Sequence, residues 1–312
     1  MRSNPGTVIE RPYGVPACVS DRATMSISRR SILAAGFGLA AVPRKLLSKP
    51  SLAGCKIGVT DWNLKQTGKI EAVALAKSLG FEGVQVSLGR KPVDGRLALD
   101  DPDLEKAYLR AARQQRIALD GTCLDILHVN FLKSDKLGPK WVAAGIPITQ
   151  RLKAKVMLLP FFGPGALTTE AERNYVGDVL KELAPEAVRA GVLLGLEDTI
   201  SAEDNVRIME RAQSPAVRVY YDVGNSTKNG FDVVKEIRWL GRERICQIHL
   251  KDKTYIGEGP IDFLAVMKAI ADIQYTGFAN LETASPSGSV EADMRRNLHA
   301  VREFMKDAQQ SV

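Results

Sequence analysis

Four residues of types that bind divalent metal ions recur at similar intervals in the second half of the chain. They are Glu197, Asp222, His249 and Glu282, separated by 25, 27 and 33 residues. Each ends a short apolar run typical of a β-strand. Three carboxylates and one imidazole suit an ion such as Mn²⁺, Mg²⁺, Co²⁺ or Zn²⁺. A single acid at a strand end is usually a helix cap or a solvated loop residue, but four in succession predict one metal site.

These runs belong to a longer alternation between apolar, β-branched segments and segments with helical periodicity. The predicted strands are 56–60, 83–88, 117–122, 155–160, 192–197, 217–222, 245–250 and 278–282. Gly80 is placed to end a helix over 69–79. Thr169 and Glu172 are placed as a capping box that opens a helix over 170–190, and Ser201 opens the next helix in a similar way.

Eight strand–helix units in about 255 residues predict an α/β fold, a (β/α)₈ TIM barrel that forms a single domain over residues 51–312. The carboxyl ends of all strands in such a barrel meet at one mouth, so the four candidate ligands should point at a common centre. A doubly wound open sheet is the alternative. It ordinarily uses fewer strands, and no G-x-G-x-x-G follows the first predicted strand.

Four sequence blocks resemble the xylose-isomerase-like family of sugar isomerases and epimerases. They are YDVGN at 221–225, HLKD at 249–252, GEGPIDF at 257–263 and GFANLE at 277–282. The resemblance covers residues 55–308 and is closest to the pentulose-phosphate 3-epimerase and hexulose-phosphate isomerase branch. It implies a sugar substrate and makes Glu197, Asp222, His249 and Glu282 the metal ligands. The free-ketose epimerase branch has a substrate-contacting histidine where this chain has Asn225.

The residue types suit the enolisation of a sugar. Removing the weakly acidic proton beside a carbonyl requires a base, and a divalent ion stabilises the enediolate that forms. Glu197 and Glu282, on the fifth and eighth strands, would flank the sugar, and the resemblance supports a double role for them as ligands and acid/base pair. Asp222 and His249 are interpreted as ligands only.

Six further residues are predicted to contact substrate: Trp62, His128, Asn225, Lys251, Asp252 and Glu258. Lys251 and Asp252 could instead hold the tautomer of His249 or form a plain salt bridge. Glu258 lies in a glycine-flanked loop over the predicted mouth. Trp62 could form an apolar wall together with Phe161, although simple packing explains both aromatic residues equally well.

The net charge of +7 is concentrated at the start of the chain. Residues 1–50 contain eight Lys or Arg and two acidic residues, which leaves 35 basic and 34 acidic side chains in the remainder. The near neutrality of residues 51–312 argues against nucleic-acid binding, which requires a basic face. Four scattered cysteines without a C-x-x-C pair argue against a structural zinc site, and two of them, Cys123 and Cys246, lie in apolar runs that favour buried free thiols.

Residues 1–50 are interpreted as a leader. Paired arginines, Arg29 and Arg30, precede a short apolar run over 34–42, the pattern of a twin-arginine export signal. The run is shorter than the roughly 20 residues that span a bilayer, so no stable membrane anchor is expected. Export to the periplasm is the prediction, with a vestigial or cytoplasmic leader as the alternative, and translation could start at Met1 or Met25.

Several functions remain open. The leading one is a metal-dependent sugar isomerase or epimerase, which could be a homo-oligomer. An exported enzyme should rarely meet sugar phosphates, so a 3-keto-glycoside lyase or hydratase on the same scaffold is the alternative. A non-catalytic carbohydrate-binding barrel has less support, since binding alone rarely requires four converging ligands. An apurinic-site endonuclease of the same fold has the least, because only three histidines are present.

Overall fold

The computed structural model of the chain describes residues 49–310, in which eight parallel strands close into a barrel in their order along the chain. The strands are β1 Lys56–Thr60, β2 Gly83–Ser87, β3 Ala118–Cys123, β4 Val156–Pro160, β5 Leu193–Glu197, β6 Val217–Asp222, β7 Ile245–Leu250 and β8 Phe278–Leu281. Every boundary lies within one residue of its predicted position, because strands covered on both faces read as continuous apolar runs. The predicted (β/α)₈ barrel is confirmed.

Helices follow the strands around the outside of the barrel. They are α1 Glu71–Leu79, α2 Pro102–Gln115, α3 Gly138–Arg151, α4 Glu170–Ala190, α5 Ala202–Ala212, α6 Val223–Lys228, α7 Val233–Arg244, α8 Phe263–Asp272 and α9 Val290–Gln310. Gly80 ends α1 in the left-handed conformation (φ 98°), and Thr169 with Glu172 forms the predicted capping box of α4. The sequence pattern had not separated α6, a short helix that begins directly after Asp222.

The strands divide the interior into two layers of different chemistry. The shell between strands and helices is apolar and contains residues such as Val59, Leu194 and Ile270, each fully buried. The space inside the barrel holds a small cluster of Cys123, Val156, Leu158, Tyr220 and Cys246. Polar side chains fill the rest of that space: Gln85, Asp120, Gln247, His249 and Asn280, all buried. The polar layer lies directly below the mouth of the barrel.

The leader lies outside the described residues, so the export signal and the boundary near residue 50 stay predictions. The first described residues already contact the barrel, since the Ser51 N–H donates to the carbonyl of Ala271 and Leu52 is buried. In residues 49–310 we find no helix with the length and apolarity of a membrane span. Cys123 and Cys246 are buried free thiols, as predicted, and Cys55 is a third.

Candidate metal centre and substrate cavity

The four predicted ligands lie together at the carboxyl ends of four neighbouring strands. Glu197 and Asp222 end β5 and β6, His249 is the penultimate residue of β7, and Glu282 directly follows β8. Each offers one oxygen or nitrogen atom, and these four atoms all lie within 4.8 Å of one another. The strand order of the barrel therefore assembles residues that are 25 to 33 positions apart in sequence into one cluster.

Three of the four residues are buried, and burial raises the pKa of two of the carboxyl groups. Burial raises the pKa of Glu197 well above its usual range, and the neighbouring Glu282 carboxylate raises it further. Burial also raises the pKa of Asp222 to about 7, although Lys251 opposes the shift. One oxygen of Asp222, Oδ2, is buried and has no hydrogen-bond partner among the described residues. A buried carboxylate oxygen without a donor is the environment that a bound cation would stabilise.

Glu282 is the exception, because two donors hold its carboxylate. The indole N–H of Trp62 donates to Oε1 at 3.0 Å, and the ammonium of Lys251 donates to Oε2 at 2.6 Å. Burial acts to raise the pKa of Glu282, but nearby His249 and Lys251 outweigh it and the pKa falls to about 2. The Lys251 ammonium also lies 3.5 Å from Asp222 Oδ2, so it bridges two of the four candidate ligands.

A cavity of about 430 Å³ opens above the cluster at the barrel mouth. Trp62, His128, Asn225 and Lys251, four of the six predicted substrate contacts, line it together with Glu197 and Glu282. The imidazole of His128 stacks against the ring of Phe162, with centroids 6.2 Å apart. A volume of this size suits a small molecule such as a monosaccharide.

Other residues of the cavity were missed by the sequence analysis. Arg90 and Asp125 line it from the loops that follow β2 and β3, and Phe162 lines it from the loop after β4. Phe161, the suggested aromatic wall, is buried away from the cavity, so the aromatic contact falls one position later. Arg90 and Asp125 lie past strand ends in loops, where β-periodicity no longer assigns the direction of a side chain.

The other two predicted contacts, Asp252 and Glu258, belong to the loop between β7 and α8. Asp252 Oδ2 accepts hydrogen bonds from the backbone N–H groups of Gly257 and Gly259, each at 3.0 Å, and therefore shapes the loop. Glu258 is half-exposed and pairs with Arg296 of α9. Glu258 lies outside the lining of the cavity above the cluster, so its placement gives no support to a substrate contact.

A second cavity, of about 530 Å³, lies beside the first, between the segment that follows β6 and the β7–α8 loop. It shares Asn225 and Lys251 with the first cavity and adds Lys228 and Lys253. The one acidic side chain in its lining is Asp252, whose carboxylate is engaged by backbone N–H groups. The lining of this second cavity is therefore net positive.

Comparison with known proteins identifies the family. The family model described as "Xylose isomerase-like TIM barrel" matches residues 73–307, and the chain belongs to this family. A 2-epi-5-epi-valiolone 7-phosphate 2-epimerase from Actinoplanes sp. is 28% identical over 206 residues, which cover 64% of this chain and 73% of the relative. A putative L-ribulose-5-phosphate 3-epimerase, SgbU, from Escherichia coli K12 is 27% identical over 238 residues, covering 66% and 80% respectively. The predicted family resemblance is confirmed, and the chain is an enzyme of this family.

Solved structures agree on the fold. An L-ribulose 3-epimerase superimposes with a TM-score of 0.67 at 16% sequence identity, covering 82% of this chain and 96% of that protein. The IOLI protein, solved with a bound zinc atom, also gives a TM-score of 0.67 at 16% identity, with 81% and 99% covered. At this level of identity the likeness establishes the barrel and leaves the chemistry to be argued from the residues.

Proposed function

We propose that the protein is a divalent-metal-dependent sugar isomerase or epimerase that works through an enediolate. The observation that carries the proposal is the convergence of Glu197, Asp222, His249 and Glu282 at the floor of a cavity of monosaccharide size. The named activities of the two relatives, both epimerases of phosphorylated polyols or sugars, support the same reaction class.

The donor set fits a divalent ion. Three carboxylates and one imidazole provide the mixed oxygen and nitrogen ligands of Mn²⁺, Mg²⁺, Co²⁺ or Zn²⁺. Oδ2 of Asp222 accepts no hydrogen bond from the described residues, and its nearest cation, the Lys251 ammonium at 3.5 Å, bridges it to Glu282; both observations indicate a position suited to positive charge. When bound, the ion would supply Lewis-acid stabilisation of the negative charge that develops on the substrate oxygens.

Glu197 and Glu282 are the proposed proton-transfer pair. One carboxylate removes the proton from the carbon beside the carbonyl, which leaves the enediolate, and the other can return a proton to the opposite face or to the neighbouring carbon. Their surroundings shift the two pKa values in opposite directions, upward for Glu197 because of burial and downward for Glu282. Such separation is common in acid/base pairs.

Three residues are proposed to orient the substrate. Trp62 presents an indole to the cavity and holds Glu282 through its N–H, while Lys251 can exchange its contact with Glu282 for a substrate oxygen. Arg90 also lines the cavity, from the loop that follows β2. If the substrate carries an anionic group such as a phosphate, the cavity that contains Lys228 and Lys253 is its proposed position.

Hydrogen exchange into substrate tests the reaction class. Phosphorylated, free and 3-keto sugars are each incubated with the Mn²⁺-loaded protein in D₂O. Deuterium at the carbon beside the carbonyl, together with an isomerised or epimerised product, is the expected result. Exchange accompanied by release of an aglycone would instead establish the 3-keto-glycoside lyase. Binding of sugars without any exchange would overturn the enzyme proposal in favour of a carbohydrate-binding barrel.

A further inference from the structure

The imidazole of His249 has a second buried partner on the side away from the other ligands. Its Nε2 lies 3.0 Å from Oε1 of Gln85, which reaches across the barrel from β2. Both side chains are fully buried. This contact uses the ring nitrogen that does not face the metal cluster, since Nδ1 lies 2.7 Å from Glu197 Oε1.

The surroundings fix which end of the Gln85 amide faces His249. The amide nitrogen donates to the carbonyl of Thr122 at 3.3 Å, and the hydroxyl of Tyr220 donates to Oε1 at 2.9 Å. The amide of Asn280 also approaches Oε1, at 3.4 Å. Reversing the Gln85 amide would set its oxygen against the Thr122 carbonyl and its nitrogen against the Asn280 amide, two mismatches in a buried layer.

With Oε1 as the acceptor, Nε2 of His249 must carry the proton. The lone pair of a neutral imidazole then lies on Nδ1, directed at the carboxylates. We propose that Gln85 is a positioning residue that holds His249 in the tautomer whose Nδ1 is available to the metal. This inference rests on the proposed metal site and adds a residue that lies outside the ligand set and does not line the substrate cavity.

A second polar tier keeps Gln85 in place. Beneath it, Asn280 and Gln247 both donate to Oδ1 of Asp120, at 3.0 and 3.2 Å. A Cβ atom at Gly58 would approach Asn280 Oδ1 to 2.1 Å and Asp120 Oδ2 to 2.3 Å, so this tier requires glycine at position 58. Hydrogen bonds therefore connect Asp120 to His249 through Asn280 and Gln85, across the inside of the barrel.

The test replaces Gln85 and measures Mn²⁺ binding in the full-length protein. Gln85→Met retains the length of the side chain but removes the acceptor, and we expect Mn²⁺ affinity to fall by about 10- to 100-fold, as for other groups that orient metal ligands. Gln85→Glu keeps the acceptor for Nε2 but loses the N–H donor to Thr122, so it should restore part of the affinity that Gln85→Met loses. Gln114→Met is the matched control, because it makes the same replacement at an exposed position of α2 and should leave affinity near that of the native protein.

Nitrogen-15 NMR of the metal-free protein provides a readout independent of metal and substrate. With three histidines in the chain, the imidazole signals can be assigned, and His249 should show a protonated, strongly hydrogen-bonded Nε2. Gln85→Met should remove that signature. An unchanged His249 signal in Gln85→Met, or Mn²⁺ affinity equal to that of Gln114→Met, would overturn the role of Gln85. Failure of the native protein to bind Mn²⁺ would refute the proposed metal site, whereas the imidazole signals would still decide whether Gln85 sets the tautomer.

Discussion

The apolar shell and the barrel interior of this protein are built from opposite faces of the same strands. On β5, Leu194 packs in the shell while Glu197 faces the metal cluster, and on β7, Ile248 and His249 divide in the same way. The shell is predominantly apolar and holds helices to strands, whereas the interior places acids, amides and an imidazole at contact distance. Stability and chemistry therefore depend on largely separate sets of residues, and substitutions can be designed to affect one set at a time.

The largest expected effect follows from removing the imidazole from the interior. His249→Ala deletes one of four ligands, so we expect Mn²⁺ affinity to fall beyond the 10- to 100-fold range of residues that only orient ligands. Isothermal titration calorimetry with Mn²⁺ measures this affinity. His299→Ala, on the helix α9 and remote from the cluster, is the control and should bind the ion normally. Equal affinity of both variants would contradict the proposed ligand set.

The next largest effect is expected on turnover, from changes to the two carboxylates of the proposed proton-transfer pair. Glu197→Gln and Glu282→Gln keep the size of the side chain and one coordinating oxygen but remove the base. We expect each to reduce turnover at least about a hundredfold, the lower end of what positioned acid–base groups contribute. Metal content must be measured in parallel, because loss of the ion would produce the same result. Near-normal rates in metal-replete variants would exclude both residues from proton transfer.

A substitution in the apolar shell should lower stability and leave Mn²⁺ binding unchanged. Leu194→Ala removes a fully buried side chain, and we expect the free energy of unfolding to fall by about 2–5 kcal/mol. Chemical denaturation followed by circular dichroism measures this loss. Mn²⁺ affinity below the melting temperature should stay at the native value, since Leu194 faces away from the cluster. A large loss of affinity in this variant would show that the two layers are coupled.

A smaller effect concerns pH and the buried acids of the interior. Burial raises the pKa of Asp61 and of Asp120 to about 7, so the folded state retains their protons to higher pH than the unfolded chain does. Stability then falls as pH rises from about 4 through 7. Calorimetry of the metal-free protein should therefore give a higher Tm at pH 5.5 than at pH 8. The opposite order would indicate that both groups are ionised in the folded protein.

The smallest effect is expected at the amino terminus. Deleting residues 1–48 should leave Tm and Mn²⁺ affinity unchanged, because Leu52 and the Ser51–Ala271 hydrogen bond are retained. A deletion that extends through Ser51 removes this hydrogen bond, and its Tm is compared with that of the shorter deletion. Aggregation of the shorter deletion while the full chain stays folded would show that the leader has a structural role.

The sequence predicted the shell better than the interior, for a physical reason. Apolar periodicity located every strand, and caps such as Thr169 located helix starts. Both signals depend only on neighbouring residues or on burial in general. The four candidate ligands were recognised because they recur at strand ends, and the structure places them together. Gln85, by contrast, contacts His249 across 164 positions, and a lone glutamine in an apolar strand gives no local signal of that contact. Glu258 was predicted to contact substrate because it lies in a glycine-flanked loop. It pairs instead with Arg296 on α9, and the spacing of the two residues in the sequence gives no sign of this contact.

Closure of the barrel has a consequence for biosynthesis. Because β1 pairs with β8, the first strand keeps one edge uncovered until β8 has left the ribosome. Glu282, the last of the four proposed ligands, follows β8, so a nascent chain that stops short of it holds an incomplete set. Ring closure and completion of the proposed ligand set therefore depend on the same last strand, and the full set of four forms only once β8 has joined the barrel.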